Sequence, residues 1–447
     1  MKPVTVGLLG LGTVGCGVVS ILERNAGELA RRAGRDIRIK SAAARDPARR
    51  RACATDGFAV TADAWSVVDD PEVEVIIEVI GGTGLAYELI ARAIANGKHV
   101  VTANKALVAL HGNELFAAAH AKGVMVAFEA AVAGGIPIIK AIREGLAGNR
   151  IEWLAGIING TANFILSEMR DRGRQFDQAL ADAQRLGYAE SDPSFDVDGI
   201  DAAHKLTILG AIAFGIPLAF DAVFVEGIRH VTRADVAYAE ELGYRIKHLG
   251  IARRLPGGVE MRVHPTLIPE RRLIANVDGV TNAVLAWGDA VGPTLYYGAG
   301  AGADPTGSAV VADLIDVVRT LTSDPGHRVP HLAFQPDAIR AQPLVPMAEV
   351  ETAYYLRLRA KDRPGVMADV TRILGDLSIS IEAIIQKEPR EGEQAVDVIM
   401  LTHRVREQQM NAAMAAIEAL EVILEPIMRL RVETLDRSFG VEGSRHG

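Results

Sequence analysis

The 447 residues predict an α/β fold built on a doubly wound parallel sheet, followed by an α+β region and a small C-terminal unit. Short apolar runs typical of strands recur at Ile37–Ala43, Val75–Ile80, His99–Thr102 and Val124–Phe128, and alanine-rich helical stretches separate the last three. Because a chain of this length exceeds one typical hydrophobic core, we expect two or three domains.

A glycine motif follows the first predicted strand. Lys2–Leu9 is apolar and β-branched, the loop reads Gly10-Leu11-Gly12-Thr13-Val14-Gly15, and a helical pattern then continues to about Asn25. In this context the first glycine permits a tight turn, Gly12 lets the backbone approach a pyrophosphate, and Gly15 allows close packing of helix and strand. The motif favours a Rossmann-like NAD(P)-binding domain over a purely structural glycine turn.

The end of the second strand should select the cofactor, because an acidic residue there would bind a ribose diol. The sequence has Arg45 and Asp46, followed by arginines at positions 49–51. Arg45 and the positive cluster favour the 2′-phosphate of NADP, although the arginines would also suit a solvated basic helix start. Asp46 keeps NAD open.

The rhythm of the chain changes after Phe128. Helices near Thr161–Arg172 and Ile200–Phe214 mix with strands, and the predicted strands lie near Trp153–Ile158, Phe224–Gly227 and Val259–Leu267. This predicts an α+β domain. A second glycine-rich segment, Tyr297–Gly307, leads into a helix predicted over Ser308–Leu321, and the proline-containing segment Asp324–Val350 is typical of a linker.

The C-terminal part predicts a compact ferredoxin-like βαββαβ unit. Its elements are expected at Ala353–Arg359, Val366–Leu377, Ile379–Gln386, Ala395–Thr402, Glu407–Leu420 and Ile427–Val432. The predicted domains are 1–135 (dinucleotide binding, with a returning segment at about 300–325), 136–300 (substrate binding and oligomerisation), 325–350 (linker), 351–433 (regulation) and 434–447 (tail).

Composition restricts the functional class. The net charge of −8 gives no indication of a nucleic-acid partner, and the 11 histidines form no metal-ligand spacing. Two cysteines, Cys16 and Cys53, suggest a reducing compartment rather than a disulfide framework. Without a signal-peptide pattern or an apolar run of membrane-spanning length, we expect a cytoplasmic protein and no membrane partner.

An acidic stretch, GYAESDPSFDVDGIDAAHK at 187–205, has three possible interpretations: a calcium loop, a solvated loop or an active site. Calcium is excluded because the register set by Asp198-Gly199 puts Lys205 where a bidentate carboxylate is required. Asp201 and Lys205 share a helix face, as in a surface salt bridge or a catalytic pair. Lys105 follows the fourth strand, at the ligand-binding edge of the sheet, where it is either a site lysine or an exposed one.

The order of motifs resembles that of the homoserine dehydrogenases. The 183–205 segment matches their signature, and the other matching blocks are GLGTVG, TANKALVA at 102–109, FEAAVAGGIPIIK at 128–140, GIINGTANFIL at 156–166 and GAGADPTGSAV at 300–310. The C-terminal unit resembles an ACT domain, an amino-acid sensing module, and no kinase domain precedes the dehydrogenase. The chain is therefore similar to the monofunctional bacterial type.

The resemblance implies NAD(P)-dependent interconversion of L-aspartate 4-semialdehyde and L-homoserine, on the route to threonine, methionine and isoleucine. Lys205 would be the catalytic acid/base, Lys105 would lie by the cofactor and the reacting oxygen, and Asp201 would support the lysine and the substrate. Glu190 would bind the substrate ammonium group. The other implied site residues are Asp196, Asn159 and Thr161 for the substrate, and Gly187 and Gly302 for the cofactor.

The resemblance also implies a bound monovalent cation, sodium or potassium, held mainly by backbone carbonyls. The matching positions are Glu129, Val132, Gly134 and Ile136. Threonine is the expected effector at the ACT turn, through Asp362 and Gly365, although the same turn would suit a purely structural role. A homo-oligomer, dimer or tetramer, is expected for the same family reason.

Two other functions compete with this interpretation. Aspartate-semialdehyde dehydrogenase needs a thiolate nucleophile, and neither Cys16 nor Cys53 lies in a catalytic pattern. A non-catalytic sensor that combines a nucleotide fold with an ACT unit would not need both Lys105 and Lys205. The sequence leaves open the NADP preference, the threonine affinity, the oligomer count and the identity of the cation.

Overall fold

A computed structural model describes residues 2–387 and 394–436. The chain forms two compact units. Unit 1 contains the residues up to Gly160, together with Asp201–Val223 and Val280–Gln342. Unit 2 contains Thr161–Ile200, Phe224–Gly279 and the described residues from Pro343 onward.

The elements follow one another along the chain in three stretches. The first comprises β1 (Val4–Leu9), α1 (Thr13–Arg24), α2 (Ala26–Ala33), β2 (Ile37–Ala43), β3 (Ala59–Thr61), α3 (Ala64–Asp69), β4 (Val75–Glu78), α4 (Gly84–Ala95), β5 (His99–Thr102), α5 (Lys105–Lys122), β6 (Val126–Ala127), α6 (Ile138–Lys140) and β7 (Ile151–Ile157). The second comprises α7 (Gly160–Asp171), α8 (Phe176–Arg185), α9 (Ser194–Val197), α10 (Ile200–Phe214), β8 (Phe224–Val225), α11 (Arg233–Glu241), β9 (Tyr244–Leu255), β10 (Gly258–Pro269), β11 (Thr281–Gly288) and β12 (Gly292–Ala299). The third comprises α12 (Ala303–Thr320), β13 (Glu351–Lys361), α13 (Val366–Asp376), β14 (Ile381–Gln386), β15 (Ala395–Thr402), β16 (Val405–Arg406), α14 (Glu407–Glu418) and β17 (Met428–Val432).

Unit 1 contains the predicted doubly wound sheet. Its six strands are all parallel, in the order β3-β2-β1-β4-β5-β6. The central strands are apolar because helices cover both faces of a parallel sheet, and residues such as Val6, Leu8 and Ile77 are fully buried. Helix α12 packs on α1, although the two helices are far apart in the sequence. Residues of both helices belong to one hydrophobic core with residues of β1. Unit 1 also holds β7, β11 and β12 as an antiparallel set.

Unit 2 combines a long hairpin, β9–β10, with the C-terminal βαββαβ unit. Within the latter the strand order is β17-β13-β15-β14, with antiparallel pairing throughout. Strand β17 also pairs in parallel with β10, through Thr266 opposite Arg431 and Leu267 opposite Val432. The predicted ferredoxin-like unit is therefore present, and its last strand, β17, extends the sheet by pairing with β10 of the hairpin.

The fold class predicted from the sequence is confirmed, but several elements were misplaced or missed. The helix expected over Ser308–Leu321 begins earlier, at Ala303, because Gly302 with φ of +131° ends the preceding loop at its N-cap. Strand β9 was not predicted, since its sequence carries Lys247, His248 and Arg253. These side chains are nevertheless buried, each at most 3% exposed, because strand pairing and ion pairs satisfy them.

The proline-containing segment expected as a linker packs on unit 1 over most of its length. It forms short 3₁₀ turns at Pro325–His327 and Pro336–Ala338. The Nε2 atom of His331 accepts a hydrogen bond from the Val126 N–H at 3.0 Å, and Leu332 is 4% exposed. The functional division into domains stays a prediction. The predicted tail lies outside the described residues from position 437 onward.

Across the described ranges, 2–387 and 394–436, no helix combines the length and the hydropathy needed to cross a bilayer.

Candidate active site

The glycine loop between β1 and α1 is built as the motif requires. Gly10 has φ of +108°, and a Cβ atom there would lie 2.9 Å from the Val79 carbonyl oxygen. A Cβ atom on Gly15 would lie 2.0 Å from the Gly10 carbonyl oxygen, so that position also excludes a side chain. Gly12 is the N-cap of α1, where a Cβ atom would meet nothing within 4 Å, and Thr13 beside it is exposed. The first turn of α1, which includes the half-buried Val14, therefore presents free space in front of a helix N-terminus.

In the segment after β2, one charged residue is exposed and others hold the loop backbone. Arg45 is exposed directly beyond the strand end. Asp46 instead accepts a hydrogen bond from the Ala48 N–H at 3.1 Å, in a local turn. The guanidinium of Arg51 donates to the carbonyls of Asp46 and Pro47, which fixes the loop backbone. Arg45 is thus available for an anionic ligand, while Arg51 has a structural role.

A carboxylate between two lysines forms the centre of the candidate site in unit 1. Asp201 Oδ2 accepts hydrogen bonds from Lys205 Nζ at 2.7 Å and from Asn159 Nδ2 at 2.8 Å. Its other oxygen, Oδ1, lies 2.8 Å from Lys105 Nζ. Lys205 Nζ also donates to the Ile158 carbonyl at 2.7 Å. The structure therefore brings together four of the residues predicted from the sequence.

Three separate elements position this cluster. Lys205 and Asp201 stand one helical turn apart on α10. Lys105 is the first residue of α5, whose N-cap is Asn104, and the Asn104 side chain accepts from the Leu107 N–H at 3.1 Å. Asn159 follows the end of β7. The strand ends and helix starts thus aim one amide and two ammonium groups at a single carboxylate.

Burial and charge act in opposite directions on this carboxylate. Burial by itself would raise the pKa of Asp201, but the nearby Lys205 and Lys105 ammonium groups outweigh it and hold that pKa well below its usual range. The exposed fractions of the three side chains are 4% for Asp201, 10% for Lys205 and 35% for Lys105. Both lysines are therefore anchored by an ionised acid, and Lys105 is the more accessible of the two.

A histidine that the sequence did not single out borders the cluster. His204 is 5% exposed and packs against the Phe220 ring at a centroid distance of 4.4 Å. Burial lowers the pKa of His204, opposed by the negative charge of Asp201. A neutral imidazole here adds no third positive charge beside the two lysines. The Ile158 carbonyl was also missed, because a backbone acceptor leaves no signal in the sequence.

Unit 2 carries the remaining predicted substrate and cofactor residues of the acidic stretch. Gly187 lies two residues beyond the end of α8 with φ of +77°, and the exposed Glu190 follows three residues later. The Glu190 carbonyl accepts from Gln184 Nε2 at 3.0 Å, which holds the loop to α8. Thr161 Oγ1 donates to the Tyr188 carbonyl at 2.7 Å. This loop is anchored through its backbone, and the Glu190 carboxylate remains on the surface.

The other acids of the stretch differ in their surroundings. Asp196 is half-buried on the short helix α9. Asp192 accepts from the Ser194 N–H at 3.1 Å, at the start of the same helix. Asp198 Oδ2 accepts from Arg229 at 3.2 Å. Asp192 and Asp198 thus shape the turn around Asp196.

The loop after β6 contains the positions predicted to bind a cation. The Glu129 carboxylate accepts the N–H groups of Ile139 and Lys140, both at 2.8 Å. Burial, with the neighbouring Asp313 carboxyl, raises the pKa of Glu129 to about 7. The Glu129 side chain therefore caps the start of α6.

The backbone of this loop reverses sharply. Ala133 and Gly134 have φ of 55° and 49°, and a Cβ atom on Gly134 would lie 2.4 Å from the Gly300 carbonyl oxygen. The carbonyls of Glu129 and Ile136 each accept one N–H, from Val132 at 3.3 Å and from Ile138 at 2.8 Å. A carbonyl oxygen keeps a second lone pair in such a bond. Within the described residues no cluster of three or more His, Cys, Asp or Glu side chains could hold a metal. The carbonyl oxygens of Glu129 and Ile136 therefore each keep one lone pair for a further partner.

The predicted effector turn begins α13. Gly365 is the N-cap of this helix with φ of +93°, and a Cβ atom on it would meet nothing within 4 Å. Asp362 is exposed, and its N–H donates to the Gln394 carbonyl at 2.9 Å. The turn thus presents an open helix N-terminus beside a carboxylate.

The two cysteines do not suit nucleophilic catalysis. Cys16 lies on α1 and is buried, and its sulfur contacts that of Cys53. Burial, followed by the contact with Cys16, raises the pKa of Cys53 to about 12. A thiolate is therefore disfavoured at Cys53, which argues against a thioacyl mechanism.

Comparisons with known proteins agree across nearly the whole chain. Residues 10–129 match the NAD-binding domain model of homoserine dehydrogenase, residues 137–315 match the homoserine dehydrogenase model, and residues 354–422 match the ACT domain model. The homoserine dehydrogenase of Pseudomonas aeruginosa is 64% identical over 436 residues, which are 98% of this chain and 100% of that protein. That of Helicobacter pylori is 41% identical over 97% of this chain and 99% of its own.

Solved structures give the same result. The crystal structure of a homoserine dehydrogenase from Thiobacillus denitrificans has a TM-score of 0.93 at 66% identity, and covers 97% of this chain and 99% of its own. A hyperthermophilic archaeal homoserine dehydrogenase in complex with NADPH has a TM-score of 0.60 at 26% identity, over 71% of this chain and 98% of its own.

The fold and the site define an NAD(P)-binding oxidoreductase that acts on a CH–OH group and carries an ACT domain. Within that class, the chain belongs to the homoserine dehydrogenase family.

Proposed function

We propose that the chain interconverts L-aspartate 4-semialdehyde and L-homoserine, with Lys205 as the acid/base. The observation that carries this proposal is the cluster in which Asp201 holds Lys205 and Lys105 at 2.7 and 2.8 Å. A bound nicotinamide would supply the hydride for the aldehyde carbon, or accept it in reverse. The alkoxide that forms needs stabilisation and a proton, and a positioned ammonium group supplies both.

Lys105 supports this chemistry as a second positive charge near the reacting oxygen. It is 35% exposed on its side chain, so it is accessible to ligands, and Asp201 limits its rotation. Asn159 donates to the same carboxylate and fixes its orientation at 2.8 Å. In the oxidative direction a neutral Lys205 takes the hydroxyl proton, and the carboxylate of Asp201 holds the ammonium that results.

The substrate's amino-acid end is assigned to the loop in unit 2. Glu190 supplies a negative charge for the substrate ammonium group, since its carboxylate is exposed and the loop backbone is anchored. Asp196 supports the same end, and Thr161 borders it. A carboxylate that pairs with the ammonium group rejects aldehydes and alcohols that lack it.

The cofactor is assigned to the glycine loop and to the segment beyond β2. Gly10, Gly12, Thr13, Val14 and Gly15 would hold the pyrophosphate, and Lys105, Gly187 and Gly302 would complete the site. NADP is favoured over NAD because Arg45 is exposed while Asp46 is engaged in a local turn. The archaeal relative bound to NADPH supports that preference. Kinetics with each cofactor decide it.

A monovalent cation, sodium or potassium, is assigned to the carbonyls of Glu129, Val132, Gly134 and Ile136. Two positive φ angles in this loop and a carboxylate that is already engaged support it. Such an ion would fix the loop between the β6 end and α6. A titration of activity with sodium or potassium in a buffer free of both tests the assignment.

Threonine is the proposed effector, at the turn that contains Asp362 and Gly365. The chain is proposed to act as a homo-oligomer in the cytoplasm. Its reaction would belong to threonine, methionine and isoleucine biosynthesis. Deletion of the C-terminal unit would be a poor test, because β17 pairs with β10 and Glu433 forms a buried ion pair with Arg262. The sharper test is Asp362→Ala, which should weaken threonine inhibition while activity without threonine is retained. Unchanged inhibition would refute this effector site.

The experiment for the main proposal measures homoserine-dependent reduction of NADP and NAD by the purified chain. The Lys205→Ala variant should lose nearly all turnover, and Lys122→Ala, an exposed lysine of α5, should retain it. Absence of homoserine turnover in the natural chain, or full turnover in the Lys205 variant, would contradict the proposal.

A further inference from the structure

A buried arginine in the last strand of the βαββαβ unit holds two acids from different elements. Arg431 on β17 is fully buried. It donates to both oxygens of Glu407, at 3.0 and 2.6 Å, and to Glu226 Oε2 at 3.1 Å. Its guanidinium also lies 5.0 Å from the centre of the Phe224 ring. Arg431 therefore joins the C-terminal unit to the segment 224–229.

The start of that segment is held by the neighbouring strands β9 and β10 of unit 2. Strand β8 pairs in parallel with β10. The Glu226 N–H donates to the Val263 carbonyl at 2.8 Å, and the Glu226 carbonyl contacts His248 Nε2 at 3.0 Å. With its carboxylate on Arg431, Glu226 is held by its N–H, its carbonyl and its side chain. The start of the segment therefore has little freedom to shift.

The next residues press directly on helix α9. The Ile228 N–H donates to the Val197 carbonyl at 2.9 Å. A Cβ atom on Gly227 would lie 2.4 Å from that carbonyl oxygen and 2.6 Å from the Cα of Asp198. Arg229 NH2 then donates to Ser194 Oγ at 3.1 Å. Both ends of helix α9 therefore contact the segment 227–229.

Helix α9 has only four residues, capped at its start by the Asp192 side chain, and a helix this short depends on its neighbours for its position. It carries Asp196, to which the proposed function assigns the substrate. We propose that the Arg431–Glu226 ion pair positions Asp196 for substrate binding, through Gly227 and Ile228. Glu226 and Arg431 are positioning residues, and this inference rests on the proposed function.

The expected consequence is a loss in substrate affinity more than in turnover. A carboxylate displaced by a fraction of an ångström weakens the binding of an amino-acid substrate, because the binding geometry must be held closely. The acid/base cluster in unit 1 shares no residue with the Arg431–Glu226 path. If the ion pair only stabilised the fold, its removal would lower the melting temperature and leave the KM for homoserine unchanged.

The first test is Glu226→Ala, with Glu241→Ala as the matched control. Glu241 forms an exposed ion pair with Lys387 elsewhere in unit 2. In the Glu226 variant the KM for homoserine should rise by about fivefold or more, while kcat and the KM for the dinucleotide change by less than about twofold. The control should keep all three values. A KM for homoserine equal to that of the control would overturn the proposal.

The second test leaves all charges unchanged. Gly227→Ala places a methyl group against the Val197 carbonyl, whereas Gly257→Ala, in the β9–β10 turn, meets nothing within 4 Å. The first variant should lower kcat/KM for homoserine about tenfold, mostly through KM. Gly257→Ala should be neutral. Equal kinetics in the two alanine variants would refute the contact between Gly227 and α9 as a positioning device.

A third variant tests whether Arg431 acts through Glu226. Arg431→Lys keeps the charge beside Glu407 but cannot reach two carboxylates in the same geometry. If both residues act through one path, the KM increase of the Glu226→Ala/Arg431→Lys double variant should equal that of the single variants rather than their product. A multiplicative increase would overturn a common path.

If the natural chain did not turn over homoserine, the proposed function would fail. If it did, but these variants had normal KM values, only the positioning role would fail.

Discussion

The two ends of one acidic stretch have opposite environments. At its C-terminal end Asp201 and Lys205 are buried in unit 1, and the carboxylate accepts from Lys205, Lys105 and Asn159. At its N-terminal end Glu190 is exposed in unit 2, on a loop whose backbone is held to α8 by the Gln184 side chain. The same residue types therefore meet different physical demands within one segment.

This difference indicates a division of labour. A buried and fully paired carboxylate is costly to perturb, and it fixes the groups that move a proton. An exposed carboxylate keeps its charge available to a charged ligand that arrives from solvent. We therefore expect changes in the cluster to reduce kcat and changes in the loop to raise KM.

The largest effect that tests this division is expected for Asp201→Asn. An amide cannot neutralise Lys105 and Lys205 together, so kcat should fall by about 10²-fold or more. Removal of one partner from a buried ion pair should also lower stability by about 3–5 kcal/mol. Steady-state kinetics and urea unfolding measure the two effects.

The matched control is Asp235→Asn. Asp235 is fully buried in unit 2 and accepts from Arg357 at 2.7 Å and from Tyr355 at 3.1 Å. This variant should lose comparable stability but keep kcat. If both variants lost kcat in proportion to their stability, the catalytic assignment of Asp201 would not stand.

An intermediate effect is expected for Glu190→Gln. Without the negative charge, the KM for homoserine should rise by about 10- to 100-fold, which corresponds to about 1.4–2.7 kcal/mol, and kcat should change little. Glu241→Gln, the same substitution at an exposed acid elsewhere in unit 2, serves as the control and should keep both values. A loss confined to kcat would place Glu190 with the proton-transfer groups instead.

The smallest effect concerns acid stability and the core of unit 1. Burial, with a contribution from Arg328, lowers the pKa of His99 to about 4, and its Nδ1 accepts from the Met125 N–H at 3.0 Å. In the unfolded chain a histidine takes up a proton near pH 6.5, above the folded pKa. The stabilisation is therefore fully present above about pH 6.5 and is lost as pH falls towards 4, by at most ~1.4 kcal/mol per pH unit.

Urea unfolding at several pH values measures this slope. His99→Gln should reduce it, with His403→Gln, an exposed histidine, as the control for the substitution itself. A slope that is the same in the natural chain and in the His99 variant would contradict the proposed linkage.

The sequence predicted those features that local pattern encodes. The parallel sheet and the βαββαβ unit follow from apolar periodicity, and the Gly10 and Gly15 conformations follow from the motif. The Asp201–Lys205 contact follows from their spacing of one helical turn. By contrast, the contact of Lys105 with Asp201 joins residues far apart in sequence, and only the family resemblance suggested that they share a site.

Other features had no pattern to reveal them. The Ile158 carbonyl is an acceptor without a side-chain signature. Strands β9 and β10 carry Arg253, Glu260 and Arg262 in buried positions, because these charges pair with each other. Such pairing depends on strand register, which single-residue hydropathy does not contain.

The most direct test of the central claim, that Lys205 moves the proton, is rescue of Lys205→Ala by an added amine. In the variant, methylamine should restore homoserine oxidation in a concentration-dependent manner, since it replaces the missing amine at the reacting oxygen. The same amine should leave Lys122→Ala unaffected. Restored turnover supports Lys205 as the acid/base. A variant that is fully active without amine, or that stays inactive at every amine concentration although it folds and binds the dinucleotide, would contradict the account.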